Sequence, residues 1–243
     1  MPFPWLKIEN KSESVGEIHI YGQISDEKWF EEDVTPTSIK KEIDGLGDRN
    51  VNVYVNSPGG GVYAGMTIMN LLGRLKGYKT GFVDGIAASA ATYALMAMDK
   101  VIMPKSSMIM IHNPSSIAIG SANELRKEAD ILDRIQNSIG EVYAKKTGIP
   151  KNDIFDLMDK ETWMGGEEAV KLGFADVVEQ EKVLNMALSG DSFAANGIEF
   201  SIKDFRAFPK NRFNQHPKSE SPQAERLINA RQKFLQLKKE VLA

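Results

Sequence analysis

Cysteine is absent from the 243 residues. That excludes a disulfide scaffold, a thiolate zinc or iron–sulfur site and thiol catalysis. Histidine is scarce, at His19, His112 and His216. Three are too few for a His-rich metal site, so none is expected. No apolar run approaches the roughly 18–20 residues of a membrane span, so no membrane partner is expected either. The opening Met1-Pro-Phe-Pro-Trp5 lacks the basic and apolar segments of a secretory signal. A cytoplasmic chain is the expectation.

What is present is ordinary enough to fold. Hydrophobic residues make up 42% and charged residues 26%, a composition that buries a core and stays soluble. The length suits one domain of about 180–200 residues with an appendage. The net charge of −3 hides an asymmetry. From Lys203 onward there are ten Lys/Arg against four Asp/Glu, a charge of +6, whereas residues 1–202 carry −9. Between Pro209 and Pro222 the chain is rich in Asn, Gln, Ser and Pro and reads as a linker. Its basic end is either a solvated arm or a contact for nucleic acid or an acidic protein surface.

Strand and helix patterns alternate. Glu17–Ile24, Val51–Val55, Lys79–Val83, Lys100–Met103, Met108–Ile111 and Val177–Val178 read as strands. Thr35-Pro36 caps a helix carrying Ile39, Ile43 and Leu46. A second helix runs from the glycine turn at 59–61 to Gly77, a third over Ala87–Met98, and shorter ones over Asn152–Met158 and Glu167–Leu172. Ser121-Ala-Asn-Glu124 is a capping box. It opens a helix of about 26 residues to Lys146, with Gly148 as C-cap, and about 39 Å of helix should jut from a compact domain. Repeated strand–helix–strand order predicts an α/β fold with mostly parallel strands and right-handed crossovers. Over Ser221–Ala243, Leu227/Ile228, Phe234/Leu235 and Val241/Leu242 form a heptad-spaced apolar stripe on a last helix.

Three segments could carry chemistry. Val55-Asn-Ser-Pro-Gly-Gly-Gly61 follows a strand, and its glycines allow backbone N–H groups close to an anion. It has neither dinucleotide nor P-loop spacing. In Val83-Asp-Gly-Ile-Ala-Ala-Ser-Ala-Ala91, a Ser stands in the first turn of a helix among small residues. It is either a nucleophile with N–H donors for an oxyanion or a helix cap. His112 follows the strand of Met108-Ile-Met-Ile111, placed either as a base for Ser89 or as a buried His satisfied by backbone. An acid to orient His112 lies in Asp156–Trp163, where the pattern alone does not choose between Asp159 and Glu161.

Taken in order, Asn56-Ser-Pro-Gly-Gly60, Ala64-Gly-Met66, Gly85-x-Ala-Ala-Ser89, Met110-Ile-His-x-Pro114 and Glu168-Ala169 with Gly173-x-x-Asp176 resemble the Clp protease proteolytic subunit (ClpP) family. The resemblance covers roughly residues 17–180. It implies a ClpP/crotonase-like α/β fold with a protruding handle helix, and serine endopeptidase activity on protein or peptide substrates that needs no metal, nucleotide or organic cofactor. Ser89 is then the nucleophile and His112 the general base. The N–H groups of Gly60 and Ala90 form the oxyanion hole. Glu161 falls in the slot where the family carries Asp, with Asp159 as the fallback. The implied assembly is a homo-oligomeric ring, commonly a heptamer or a stacked double ring, and a strand at Ile117–Ile119 would align peptide. Gly22-x-Ile24-Ser-Asp26 and Glu161-Thr-Trp-Met164 look most like the prohead maturation proteases of tailed phages. That would make capsid or scaffold proteins the substrates and a prohead in an infected cell the site of action, with no need for a Clp-type ATPase partner.

The expected organisation is an N-terminal segment 1–16, a peptidase domain 17–183, a linker 184–220 and a helix 221–243. Two other readings compete. Acyl-CoA chemistry on the same fold needs neither Ser89 nor His112. An inactive ring acting as scaffold or adaptor through the basic tail draws on the Asp-to-Glu departure. A Ser–Lys peptidase lacks a Lys in suitable context.

Overall fold

A computed structural model of the chain describes residues 15–179, 186–196, 198–203 and 205–210. The expected helix over 221–243, most of the segment 1–16 and His216 lie outside the described residues. The chain divides into two compact units, with the boundary between Leu184 and Asn185.

The first unit is α/β. Strands β1 (Val15–Tyr21), β2 (Asn50–Ser57), β3 (Lys79–Ala88), β4 (Lys100–Pro104) and β7 (Val177–Glu179) form a sheet in the order β1-β2-β3-β4-β7. All of these pairs are parallel. Strand β5 (Met108–Ile111) pairs parallel with the far half of β3, and β6 (Thr162–Gly165) pairs antiparallel with β5. Between the strands run α1 (Pro36–Ile43), α2 (Val62–Gly73), α3 (Ala91–Met96), α4 (Ala122–Thr147), α5 (Lys151–Asp159) and α6 (Gly166–Lys171).

Period-2 patterning decides which face is buried. Ile18, Ile20, Val51, Val53, Val55, Val83 and Val101 bury one face with Ile39, Ile68, Leu72 and Leu95 of the helices. The opposite face is half-exposed. There His19, Tyr54 and Phe82 stack in a row, with ring centroids 4.9 and 5.0 Å apart.

Local chemistry sets the element ends. Thr35 and Ser38 form a capping box at α1, with Pro36 in the first turn. Ser121 and Glu124 do the same at α4, and Gly148, at φ 77°, closes it. Only Ile139, Gly140 and Tyr143 of α4 are buried, so its C-terminal half packs on the domain. Leu125 and Ile131 on its N-terminal half are exposed.

Three expectations need correction. The helix expected from Ala87 begins at Ala91, because Ile86–Ala88 pair with Met108–Met110. Sheet pairing outweighs the helix preference of alanine there. Ile117–Ile119 forms no strand: the segment 113–120 has no ladder partner among the described residues, and the two isoleucines are 85% and 81% exposed. Part of the expected linker 184–220 is ordered as the second unit. In it β8 (Met186–Ser189), β9 (Ser192–Ala195) and β10 (Ile198–Ser201) form an antiparallel sheet. Phe193 sits edge-on to Phe200 and Phe208 at 5.3 and 5.1 Å.

Candidate active site

The site grows from the way β3 ends. Asn56 stitches β2 to β3 where the register shifts, its Oδ1 accepting the Ile86 N–H at 3.2 Å. Beyond that irregularity β3 leaves β4 and runs beside β5. Ala87, Ala88, Ala90 and Ala91 are fully buried, and their small side chains let the backbone turn tightly. Ser89 takes the turn at φ 54°, a left-handed conformation that costs an L-residue roughly 1–2 kcal/mol. Bonds on both sides hold it. The Ser89 N–H donates to Met110 O at 2.9 Å, and Ser89 O accepts the Thr92 N–H at 2.9 Å and the Thr92 hydroxyl at 2.6 Å.

Strand β5 thus grips Ser89 through Met110 and, two residues later, presents His112. His112 Nε2 lies 2.7 Å from Ser89 Oγ. Both residues are partly exposed, so a substrate can reach them. An imidazole nitrogen at that distance can take the serine proton.

Opposite them lies the glycine turn after β2. Gly59 and Gly60 adopt φ 90° and 141°. A Cβ on Gly60 would stand 2.1 Å from Ile24 O, so only glycine fits. Ile24 fixes the turn from one side, donating to Gly59 O at 2.8 Å and accepting the Gly61 N–H at 2.9 Å. The N–H groups of Gly60 and Ala90 donate to no acceptor among the described residues. They remain available to a ligand oxygen.

The two candidate acids have different surroundings. Strand β6 pairs Ile111 with Thr162, and one further step in that register sets Glu161 opposite His112. Glu161 is 5% exposed, stands at φ 50° and accepts the Trp163 Nε1–H at 3.1 Å. Asp159 instead accepts from Asn113 Nδ2 at 2.6 Å. Asn113 Oδ1 accepts in turn from Gln136 Nε2 of α4 at 3.0 Å. Asn113, Gln136, Thr92 and Tyr143 escaped the sequence reading, because their partners lie up to 51 residues away and no local spacing signals them. Among the described residues, no group of three His, Asp or Glu is placed to hold a metal ion, and no helix is long and apolar enough to cross a membrane.

Known proteins are similar to this chain in sequence and in fold. A Clp protease family model matches residues 18–182. ATP-dependent Clp protease proteolytic subunits are similar in sequence. That of Oltmannsiellopsis viridis is 33% identical over 132 residues, 54% of this chain and 68% of the relative. That of Chlorella vulgaris is 31% identical over 134 residues, 54% of this chain and 66% of the relative. The chain therefore spans about two thirds of each relative's length. In fold it is similar to a mutant of ClpP1 from Listeria monocytogenes, with a TM-score of 0.60 at 24% identity, covering 68% of this chain and 92% of that one. The matched span takes in the glycine turn, Ser89, His112 and Glu161 together, and on that ground the chain belongs to the Clp protease family.

Proposed function

We propose that this chain is a serine endopeptidase in which Ser89 is the nucleophile, His112 the general base and Glu161 the acid that orients His112. The observation that carries the reading is the 2.7 Å contact between His112 Nε2 and Ser89 Oγ. Ser89 Oγ attacks the scissile carbonyl while Nε2 takes its proton. The carbonyl oxygen becomes an oxyanion that the N–H groups of Gly60 and Ala90 stabilise. Collapse breaks the C–N bond, the imidazolium proton goes to the leaving amine, and an acyl ester remains on Ser89. A water then gives its proton to Nε2 and attacks the ester, releasing the acid and restoring the serine. No step calls on a metal or a cofactor.

The assembly belongs to the same proposal. Leu125 and Ile131 on the N-terminal half of α4 are exposed apolar side chains that a partner copy would bury, in keeping with a homo-oligomeric ring. Capsid or scaffold proteins as substrates rest on the phage-like Gly22–Asp26 and Glu161–Met164 segments.

The test is a fluorophosphonate probe with wild type and Ser89→Ala, read by intact mass and followed by a peptidase assay. One adduct on wild type alone, with turnover lost in the variant, is the expected result. No adduct on either protein would overturn the peptidase and favour a scaffold with an inactive ring.

A further inference from the structure

The left-handed backbone of Ser89 must be held against relaxation, and its carbonyl is where the hold is applied. Ser89 O accepts both the N–H and the hydroxyl of Thr92, at 2.9 and 2.6 Å. Thr92 is fully buried, and its Oγ1 lies 2.6 Å from the phenol oxygen of Tyr143 on α4. A threonine hydroxyl has one hydrogen. That hydrogen is spent on Ser89 O, which can only accept, so the Tyr143 O–H is the donor to Thr92. The chain of bonds therefore runs from Tyr143 through Thr92 to Ser89.

Its surroundings fix the donor. Tyr143 is buried between Phe174 and Tyr93, with ring centroids at 5.6 and 6.2 Å. Burial raises the phenol well above its ordinary ionisation range, which keeps it a neutral donor. Seven residues earlier on the same face of α4, Gln136 holds Asn113, the residue after His112. One helix thus reaches both members of the Ser89–His112 pair.

We propose that Tyr143 is a positioning residue for the nucleophile: acting through Thr92, its hydroxyl fixes the Ser89 carbonyl and with it the turn that points Oγ at His112. This rests on the peptidase reading above. Tyr143 does not touch substrate. Its contribution is to keep Ser89 in the one backbone conformation from which the 2.7 Å contact is made.

The experiment compares wild type with Tyr143→Phe, Thr92→Val, Thr92→Ser and the Thr92→Val/Tyr143→Phe double variant. It measures kcat, KM and the rate of fluorophosphonate labelling at Ser89, with folding checked by circular dichroism. Tyr143→Phe and Thr92→Val should each lower kcat and the labelling rate roughly tenfold, as expected for one lost positioning hydrogen bond, with KM unchanged. Thr92→Ser, which keeps the hydroxyl, should restore the wild-type rate. The double variant should be no slower than Thr92→Val, because both changes cut one chain. A folded Tyr143→Phe with wild-type rates, a loss confined to KM, or losses that multiply in the double variant would each overturn the proposal. Should Thr92→Val fail to fold, Tyr143→Phe and Thr92→Ser decide. A wild type inert to the probe counts against the peptidase reading instead. Amide exchange at Thr92, whose N–H also bonds Ser89 O, then decides this proposal: faster exchange in Tyr143→Phe supports it, and unchanged exchange overturns it.

Discussion

Gly59 lies flat against Ser89. A Cβ on Gly59 would stand 2.8 Å from Ser89 Cβ and 2.5 Å from Ala88 O, at a backbone φ of 90°. The glycine turn and the serine turn are therefore shaped against each other.

Gly59→Ala should cost about 1–3 kcal/mol of stability from overpacking and strain. It should also cut turnover on the order of 100-fold by displacing Ser89. Gly47→Ala is the control. It shares a positive φ of 61° but has nothing within 4 Å, so it should cost about 1 kcal/mol and leave turnover intact. Equal effects of the two on turnover would contradict the close approach.

Ser89 carries strain at φ 54° that glycine does not. Ser89→Gly and Ser89→Ala should both be inactive, but the glycine variant should be the more stable by about 1 kcal/mol. Denaturant unfolding of the pair measures it. Identical midpoints would mean that the turn is unstrained.

Glu161→Gln should lower kcat by roughly 10²–10⁴-fold, with KM little changed, as for loss of the orienting acid in such a triad. Asp159→Asn should keep most activity, because an amide oxygen still accepts from Asn113. A steady-state comparison separates them, and a larger loss in Asp159→Asn would move the acid two residues upstream.

Glu42 on α1 has Oε2 buried without a hydrogen-bond partner among the described residues. Burial raises its pKa from 4.5 to about 7. Between those values the folded chain keeps a proton that the unfolded chain has released. This carboxyl therefore makes stability fall as pH rises from 4.5 to about 7, and level off above. Glu42→Gln should flatten that slope, gaining on wild type at pH 8 relative to pH 4 in urea titrations. A slope unchanged by the substitution would clear Glu42 of the effect.

The sequence announced what is local and hid what is long-range. Helix α4 was legible end to end because Ser121, Glu124 and Gly148 are local signals. Ser89 and His112 were legible because each stands where a strand gives out. Between Asp159 and Glu161 the residue pattern alone did not choose and only the family resemblance favoured Glu161. The two acids are two residues apart, and the β5–β6 pairing that, extended one step past Ile111–Thr162, sets Glu161 opposite His112 is long-range. The start of α3 was misplaced because alanines read as helix until β5 pairs with them. The hairpin of β9 and β10 had a signal in Asn196-Gly197, the dipeptide of tight hairpins, which polar composition nearby obscured.

Strand β3 changes neighbour along its length. Thr80–Phe82 lie beside β4, and Ile86–Ala88 lie beside β5. Between Val55 and Ser57 on β2, β3 advances from Val83 to Ala87, two residues more than its partner. Those two residues are a joint. Upstream of it, a substitution is answerable to the packed interior. Downstream, it is answerable to the direction of one hydroxyl. A chain shortened by two residues there would gain an unbroken ladder and lose the turn that sets Ser89 beside His112. The irregularity is the part of the sheet that makes this domain a tool rather than a block.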